Sequence, residues 1–323
     1  METRRLGSLE VSLVGIGTNN FGLAGHLGPK VSAVEIDQAR ASAIIGAALD
    51  AGVTFIDTAE EYGYGQSEEM IGVALGSRRD EAVIATKCNS ATSPTPGTGA
   101  GVERIVRSAE DSLRRLGTDR IDLFQLHFPD PATPIDETLE AFSRLKEQGK
   151  VLEVGCCNFS GAQLDESFDA AARGGWAPFA SAQNGYSLLS RRIEDDLVPA
   201  LRRHGVGLIP YWPLAGGLLT GKYRRGEVPA TGTRMSGQPE DQQQRLLSDR
   251  NFDRVEPLTA VAAERGHTLL ELAMSWLAAQ DTVASIIVGA TSPAQVTANA
   301  AAAGWGLDAD DLAAVDRALG RPA

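Results

Sequence analysis

The stretch "VTFIDTAEEYGYGQSEEMIGVAL", residues 53–75, changes period within a few residues. Val53–Asp57 is a short apolar run that ends on a carboxylate, and a helix is predicted near 67–76. An apolar run with no alternation of polar residues belongs to a strand buried on both faces, which means a parallel sheet covered by helices. The same unit recurs on either side. "LVGIGT" precedes a helix near 37–51, "AVIATK" precedes "VERIVRSAEDSLRRLG", and "IDLFQLH" precedes a helix near 135–149. "VLEVGCCNF" leads to a helix near 161–172 and "ASAQNG" to one near 191–203. "VGLIPY" runs into a long polar loop, and "SIIVGA" into a helix beginning near Pro293. Eight strand–helix pairs with no Gly-x-Gly-x-x-Gly turn after the first strand predict a closed α/β structure, a (β/α)8 TIM barrel, over an open dinucleotide-binding sheet. Ahead of the first strand, "RRLGSLEVS" reads as a β-hairpin around Gly7–Ser8 that caps the barrel floor. No repeat or linker divides residues 1–323, so one domain is expected. Residues 222–252, polar and bearing Pro and Gly, are expected to form a mobile loop over the cofactor and substrate.

The net charge of −12 disfavours nucleic acid or an anionic membrane as partner. No stretch reaches the length of a membrane span and the first residues lack a hydrophobic signal core. The three cysteines, Cys88, Cys156 and Cys157, make no disulfide framework, so a reducing cytoplasm is expected. With four histidines and no cysteine–histidine spacing of the zinc type, no metal site is expected. Adjacent Cys156 and Cys157 read as small buried hydrophobes more readily than as a redox sensor.

Active sites of such barrels lie at the carboxyl ends of the strands. The second strand ends in Asp57, with Tyr62 in the following loop; the third ends in Lys87 and the fourth in His127. The fifth ends at Cys157–Asn158, the sixth at Gln183 and the seventh at Tyr211. Alone, each has an ordinary structural explanation: Asp57 as a helix cap, Lys87 reaching to solvent, His127 as a rim residue. Four ionisable groups brought by three consecutive strand ends to one mouth point to catalysis instead.

At these residues the chain resembles the aldo-keto reductases, and the resemblance spans nearly its whole length. It is carried by "RRLGSLEVSLVGIGTNNFG", "GVTFIDTAEEYGYGQSEEMIG", "LGTDRIDLFQLH", "GCCNFS", "YWPLAGGLLTGKY" and "VGATSPAQVTAN". The branch it looks most similar to includes bacterial reductases and potassium-channel β subunits. The resemblance implies a catalytic tetrad of Asp57, Tyr62, Lys87 and His127, with Tyr62 as proton donor. An unperturbed phenol has a pKa near ~10, and an ammonium beside it is expected to stabilise the phenolate and lower that value. Asp57 would keep Lys87 charged, and His127 would donate a hydrogen bond to the substrate carbonyl.

The same resemblance implies NADP(H) as cofactor. Asn158 and Gln183 would hold the nicotinamide carboxamide, with Cys157 where the family usually has Ser, and Tyr211 would stack on the ring. Gly17, Thr18, Asn19 and Asp57 would line the cofactor from the first strands. Trp212, Pro213, Leu214, Ala215, Gly216 and Lys222 would cradle the pyrophosphate, with Arg234 as a clamp. Gly289, Thr291, Gln295 and Asn299 would face the adenosine 2′-phosphate, helped by the helix start at Pro293. The Lys and Arg of some relatives are absent at Gly289 and Gln295, which weakens a strict preference for NADP. Asn19, Phe21, Tyr62, Cys88, Asn89, His127 and Phe128 would shape the pocket for a small carbonyl substrate. The function implied is reduction of an aldehyde or ketone by hydride from NADPH. The alternative is an NADP-binding regulatory or sensor subunit, against which His127 counts because channel subunits tend to lack it. An isomerase or lyase reusing the barrel is a third option, disfavoured by the Lys87–Tyr62 pair.

Overall fold

In a computed structural model, which describes residues 1–22, 36–90 and 92–321, the apolar runs become strands joined in parallel register. After the hairpin β1 (Thr3–Leu6) and β2 (Leu9–Ser12) come β3 (Val14–Gly17), α1 (Gln38–Asp50), β4 (Phe55–Asp57), α2 (Gln66–Leu75), β5 (Val83–Cys88) and α3 (Val102–Leu116). The alternation continues through β6 (Ile121–Leu126), α4 (Ile135–Glu147), β7 (Val151–Cys157), α5 (Gly161–Gly174), β8 (Ser181–Gly185), α6 (Leu197–His204) and β9 (Gly207–Tyr211). Three helices follow without a strand, α7 (Glu240–Leu246), α8 (Asp249–Glu264) and α9 (Leu269–Ala278). The chain ends with β10 (Ile286–Gly289), α10 (Pro293–Ala301) and α11 (Ala309–Ala318). The sheet order is β10-β3-β4-β5-β6-β7-β8-β9. Leu208 of β9 bonds Thr282 O (2.7 Å) and Ala284 N–H (2.8 Å) just before β10, which closes the sheet into a barrel.

The hairpin does cap the floor. Leu6, Leu9 and Val11 pack with the barrel-interior residues Phe55, Ala85, Leu123, Ile209, Ala284 and Ile287 in a core of their own. That interior is full enough to dictate glycine in β3: a Cβ on Gly15 would sit 2.8 Å from the Phe55 ring and 2.9 Å from Ile287. A larger core lies between strands and helices, with Ile44, Ile84, Phe124, Phe142, Leu258 and Trp276 among its buried members.

Local signals explain the helix ends. Ser160–Gln163, Thr268–Glu271 and Asp308–Asp311 form reciprocal capping boxes at α5, α9 and α11. Ser292 caps α10 with Pro293 in the first turn. Gly72 in α2 shows packing overriding propensity. Gly→Ala in a helix interior ordinarily gains roughly 0.5–1 kcal/mol, but here the added Cβ would lie 2.4 Å from Leu116 O. Because the obstacle is backbone, Gly72→Ala should instead destabilise by about 1–3 kcal/mol, read as a lower urea midpoint with unchanged slope.

Two expectations need correction. The helix near 191–203 is split into a short 3-10 turn, Arg192–Glu194, and α6. Glu194 is held by Tyr186 (2.8 Å), Arg191 (2.6 Å) and Arg321 (2.9 Å), which ties the turn to the C-terminal end of the chain. Residues 222–252 are not structureless: they contain a turn at Met235–Gly237, all of α7 and the start of α8. Tyr223 and Met235 are buried, and Arg225 bridges Asp249 (2.9 Å), Asp253 (2.7 Å) and Glu256 (3.0 Å). The missed signal is "PEDQQQRLL": Pro and two acids at a helix start, masked by a run of glutamines. Among the described residues no helix is long and apolar enough to cross a membrane.

Candidate active site

The carboxyl ends of the strands bring Asp57, Tyr62, Lys87 and His127 together. Asp57 closes β4 (3% exposed), Lys87 lies inside β5 (0%), and His127 follows β6 (6%). Lys87 Nζ is 2.8 Å from Asp57 Oδ1 and 2.9 Å from Oδ2, donates to Thr58 O at 2.7 Å, and reaches Tyr62 Oη at 3.4 Å. Tyr62 sits in a 3-10 turn where Gly63 and Tyr64 adopt positive φ (57° and 60°), which swings the phenol back over Lys87. The Tyr62 and His127 rings meet edge to face at 6.0 Å, and Phe128 stacks on His127 at 4.6 Å.

Burial governs the protonation states. It pushes the Tyr62 phenol above its ordinary value; Lys87 opposes this, and Asp57 adds to it. The expected net lowering by Lys87 is therefore corrected: desolvation outweighs the neighbouring cation, and the phenol keeps its proton. Burial also pulls on the Lys87 ammonium, but Asp57 and Tyr62 hold its pKa above the usual lysine value. His127 is pushed well below the usual histidine value by burial and then by Lys87, so it is neutral. Burial raises the Cys157 thiol to about 12.

The residues expected at the cofactor are also at this end. Gln183 donates to Asp57 Oδ1 (2.7 Å), and its Oε1 receives the Cys157 thiol (3.6 Å). Asn158 donates to His127 O (3.0 Å) and accepts from the Tyr211 hydroxyl (2.8 Å). Gly17 ends β3, Asn19 is half-buried, and the Thr18 hydroxyl is bound to Asp57 O at 2.9 Å. Among the described residues, the five non-glycine residues with positive φ, Tyr64, Asn89, Asn158, Trp212 and Ala215, lie in loops following β4, β5, β7 and β9. Such strain gathers where surrounding structure holds a site in shape. Trp212, 61% exposed, leads into the turn of Pro213, Leu214, Ala215 and Gly216, against which Leu246 of α7 packs.

Lys222 and Arg234 form no ion pair among the described residues. Burial, and then Arg234, lower the pKa of Lys222, and burial lowers that of Arg234. Two adjacent cations without carboxylates, in a chain of net charge −12, fit a bound diphosphate. At the end of β10, Gly289 is exposed, Thr291 donates its N–H (2.7 Å) and hydroxyl (3.1 Å) to Gln295 Oε1, and Asn299 is 7% exposed.

Not every expected pocket residue faces the mouth. Phe21 (1%) and Cys88 (0%) belong to the outer core, whereas Asn89 bonds Phe128 O (2.9 Å) and Phe128 is 44% exposed. Sequence reading missed two charged residues. Glu61 lies 3.5 Å from His127 Nδ1, and its only signal was adjacency to Tyr62. Arg40 of α1 donates through Nε to Thr291 O at 2.7 Å, a contact across 251 residues that no local pattern announces.

Residues 13–319 match the model of the Aldo/keto reductase family. The chain belongs to that family. Among its relatives, the aldo-keto reductase YhdN of Bacillus subtilis is 34% identical over 307 residues, covering 94% of this chain and 88% of that one. A rice protein named as a probable voltage-gated potassium channel subunit beta is 34% identical over 82% of each chain. The L-glyceraldehyde 3-phosphate reductase of Escherichia coli is 32% identical, over 80% of this chain and 77% of that one. A solved glycerol dehydrogenase from Gluconobacter oxydans shares the fold at a TM-score of 0.81 and 31% identity, across 98% of this chain and 95% of that one. Membership and relatives together support an aldo-keto reductase oxidoreductase that acts on small carbonyl compounds.

Proposed function

We propose that this aldo-keto reductase is NADP(H)-dependent and reduces an aldehyde or ketone to the alcohol, with Tyr62 as proton donor. The observation that carries the reading is the buried Asp57–Lys87–Tyr62 chain, with Lys87 Nζ 2.8 Å from Asp57 and 3.4 Å from the phenol. NADPH supplies the hydride. Asn158, Gln183 and Tyr211 would hold its nicotinamide, and Lys222 and Arg234 its diphosphate. As negative charge builds on the substrate oxygen, Tyr62 gives up its proton and Lys87 stabilises the phenolate left behind. Asp57 keeps Lys87 charged in its buried seat, and Lys87 needs no movement to act. His127 completes the polar wall beside Tyr62.

A regulatory subunit remains the second reading, because a relative 34% identical carries the name of a potassium-channel β subunit. Steady-state loss of NADPH absorbance with a panel of aldehydes separates the two, since a sensor turns over none of them at useful rates.

NADPH should bind more tightly than NADH. Thr291 and Gln295 already satisfy one another, so Arg40 and Asn299 carry more of the 2′-phosphate reading than expected. Charge-assisted bonds are worth about 1.5–3 kcal/mol, roughly tenfold or more in affinity. Fluorescence titration with both cofactors tests this, and Arg40→Ala should shrink the ratio by weakening NADPH alone. Equal dissociation constants in the wild type would remove NADP from the proposal.

A further inference from the structure

Two glutamates precede Tyr62, and they have different partners. Glu61 accepts from the hydroxyls of Ser90 and Thr92 in the loop after β5. Glu60 is fully buried and pairs with Arg104 of α3, whose Nη2 lies 3.0 Å from its Oε1. Arg104 is itself 8% exposed and donates through Nε to Gly97 O (3.2 Å), in the same loop between β5 and α3. The backbone of Glu60 is part of the site. Its N–H bonds Lys87 O (3.3 Å), and it lies inside a turn closed by Tyr62 N–H on Ala59 O (3.1 Å). A buried ion pair is a poor source of stability, because the cost of desolvating two charges offsets most of their attraction. This one also leaves Glu60 Oε2 and Arg104 Nη1 buried with no hydrogen bond. Stability does not account for it. What the pair does is fix one point of the Tyr62 turn to a helix outside the barrel mouth.

We propose that Arg104 is a positioning residue for the proton donor: through Glu60 it fixes where Tyr62 stands over Lys87. The distance to be held is the 3.4 Å between the phenol and Lys87 Nζ. Tyr64, two residues on, has a φ of 60°, a conformation that persists only where surrounding contacts impose it. Arg104 supplies such a contact from the first turn of a 15-residue helix. A misplacement of about 1 Å is enough to lower a rate roughly 10²-fold. The effect on turnover rests on the reductase reading; the placement of the phenol does not.

Glu60→Leu combined with Arg104→Met replaces the pair by apolar side chains and strands no charge. This double variant should keep the urea midpoint and the NADPH affinity of the wild type. Its kcat, with any aldehyde that the wild type reduces, should fall about ten- to a hundredfold with little change in KM. Wild-type kcat in the folded double variant overturns the proposal and makes the pair structural. Glu60→Asp carries the test if the double variant does not fold. It keeps both charges but shortens the tether by one methylene, so kcat should fall about tenfold or more, and an unchanged kcat overturns the proposal. Carbon-13 shifts of labelled tyrosine, with Tyr62 assigned by its loss in Tyr62→Phe, read the placement without turnover. Burial keeps the wild-type phenol above its ordinary value of ~10, and a turn released to water should bring it down towards that value. The groups that face it, Lys87, Asp57, Cys157, Glu61 and His127, are untouched by either variant. Identical titrations in the wild type and the variants overturn the placement. If no aldehyde is reduced, the reductase reading fails, and the titration still decides where the phenol is held.

Discussion

Tyr62→Phe should lower the turnover of carbonyl reduction by about 10²–10⁴, the usual worth of a positioned general acid. The substitution removes one oxygen and leaves the ring that packs edge to face with His127 and lies 5.0 Å from the Lys87 ammonium. Cofactor affinity and stability should therefore stay close to the wild type, and the loss should appear in kcat and in kcat/KM alike. The pH profile gives an independent reading. Because burial raises the Tyr62 pKa, the phenol stays protonated up to and beyond its ordinary value of ~10. Turnover of the wild type should accordingly show no alkaline fall between about pH 7 and 9. Retained activity in Tyr62→Phe, with any aldehyde that the wild type reduces, would mean that another group is the acid.

Lys87→Met should be costly twice over. Without the ammonium, nothing offsets the burial and the nearby carboxylates that already raise the phenol, so a phenolate becomes still harder to form and turnover should fall by a similar factor. Tyr62→Phe combined with Lys87→Met should be little slower than either alone, since both serve one proton transfer. The second cost falls on the fold. Lys87 is fully buried, and its removal leaves Asp57 as a buried charge with Gln183 Nε2 (2.7 Å) as its remaining side-chain donor. Breaking a buried pair from one side costs about 3–5 kcal/mol. Urea denaturation should show that loss, and adding Asp57→Asn should recover much of the stability and none of the activity. Recovery of both would make the pair structural.

Part of this was legible because the information is local. The strand runs, the hairpin and most helices need only a period, a cap or a turn residue within a few positions, as at Ser160–Gln163 and Ser292–Pro293. The clustering of these strand-end side chains was legible for a related reason. In a parallel barrel every strand points its carboxyl end at one mouth, so Asp57, Lys87 and His127 could be placed together from their positions at strand ends. Helix α7 escaped because seven residues rich in Gln give little periodic signal; its last residue, Leu246, lies against Gly216 of the turn after β9. Phe21 and Cys88 looked like pocket residues by sequence neighbourhood, but Phe21 turns from its loop into the outer core, and Cys88, the last residue of β5, packs in that core too.

The sequence by itself determined the barrel, its plugged floor and the set of residues that can do chemistry, because these follow from periodicity and strand order. Tertiary structure alone decided how those residues are charged and who holds them. Whether Tyr62 lies above or below its ordinary pKa depends on how much water burial removes against one ammonium at 3.4 Å, a balance of distances and desolvation that no residue order encodes. The same holds for Glu61 beside His127 and for Arg40 on Thr291: each contact is made by side chains that only the closed barrel brings within reach.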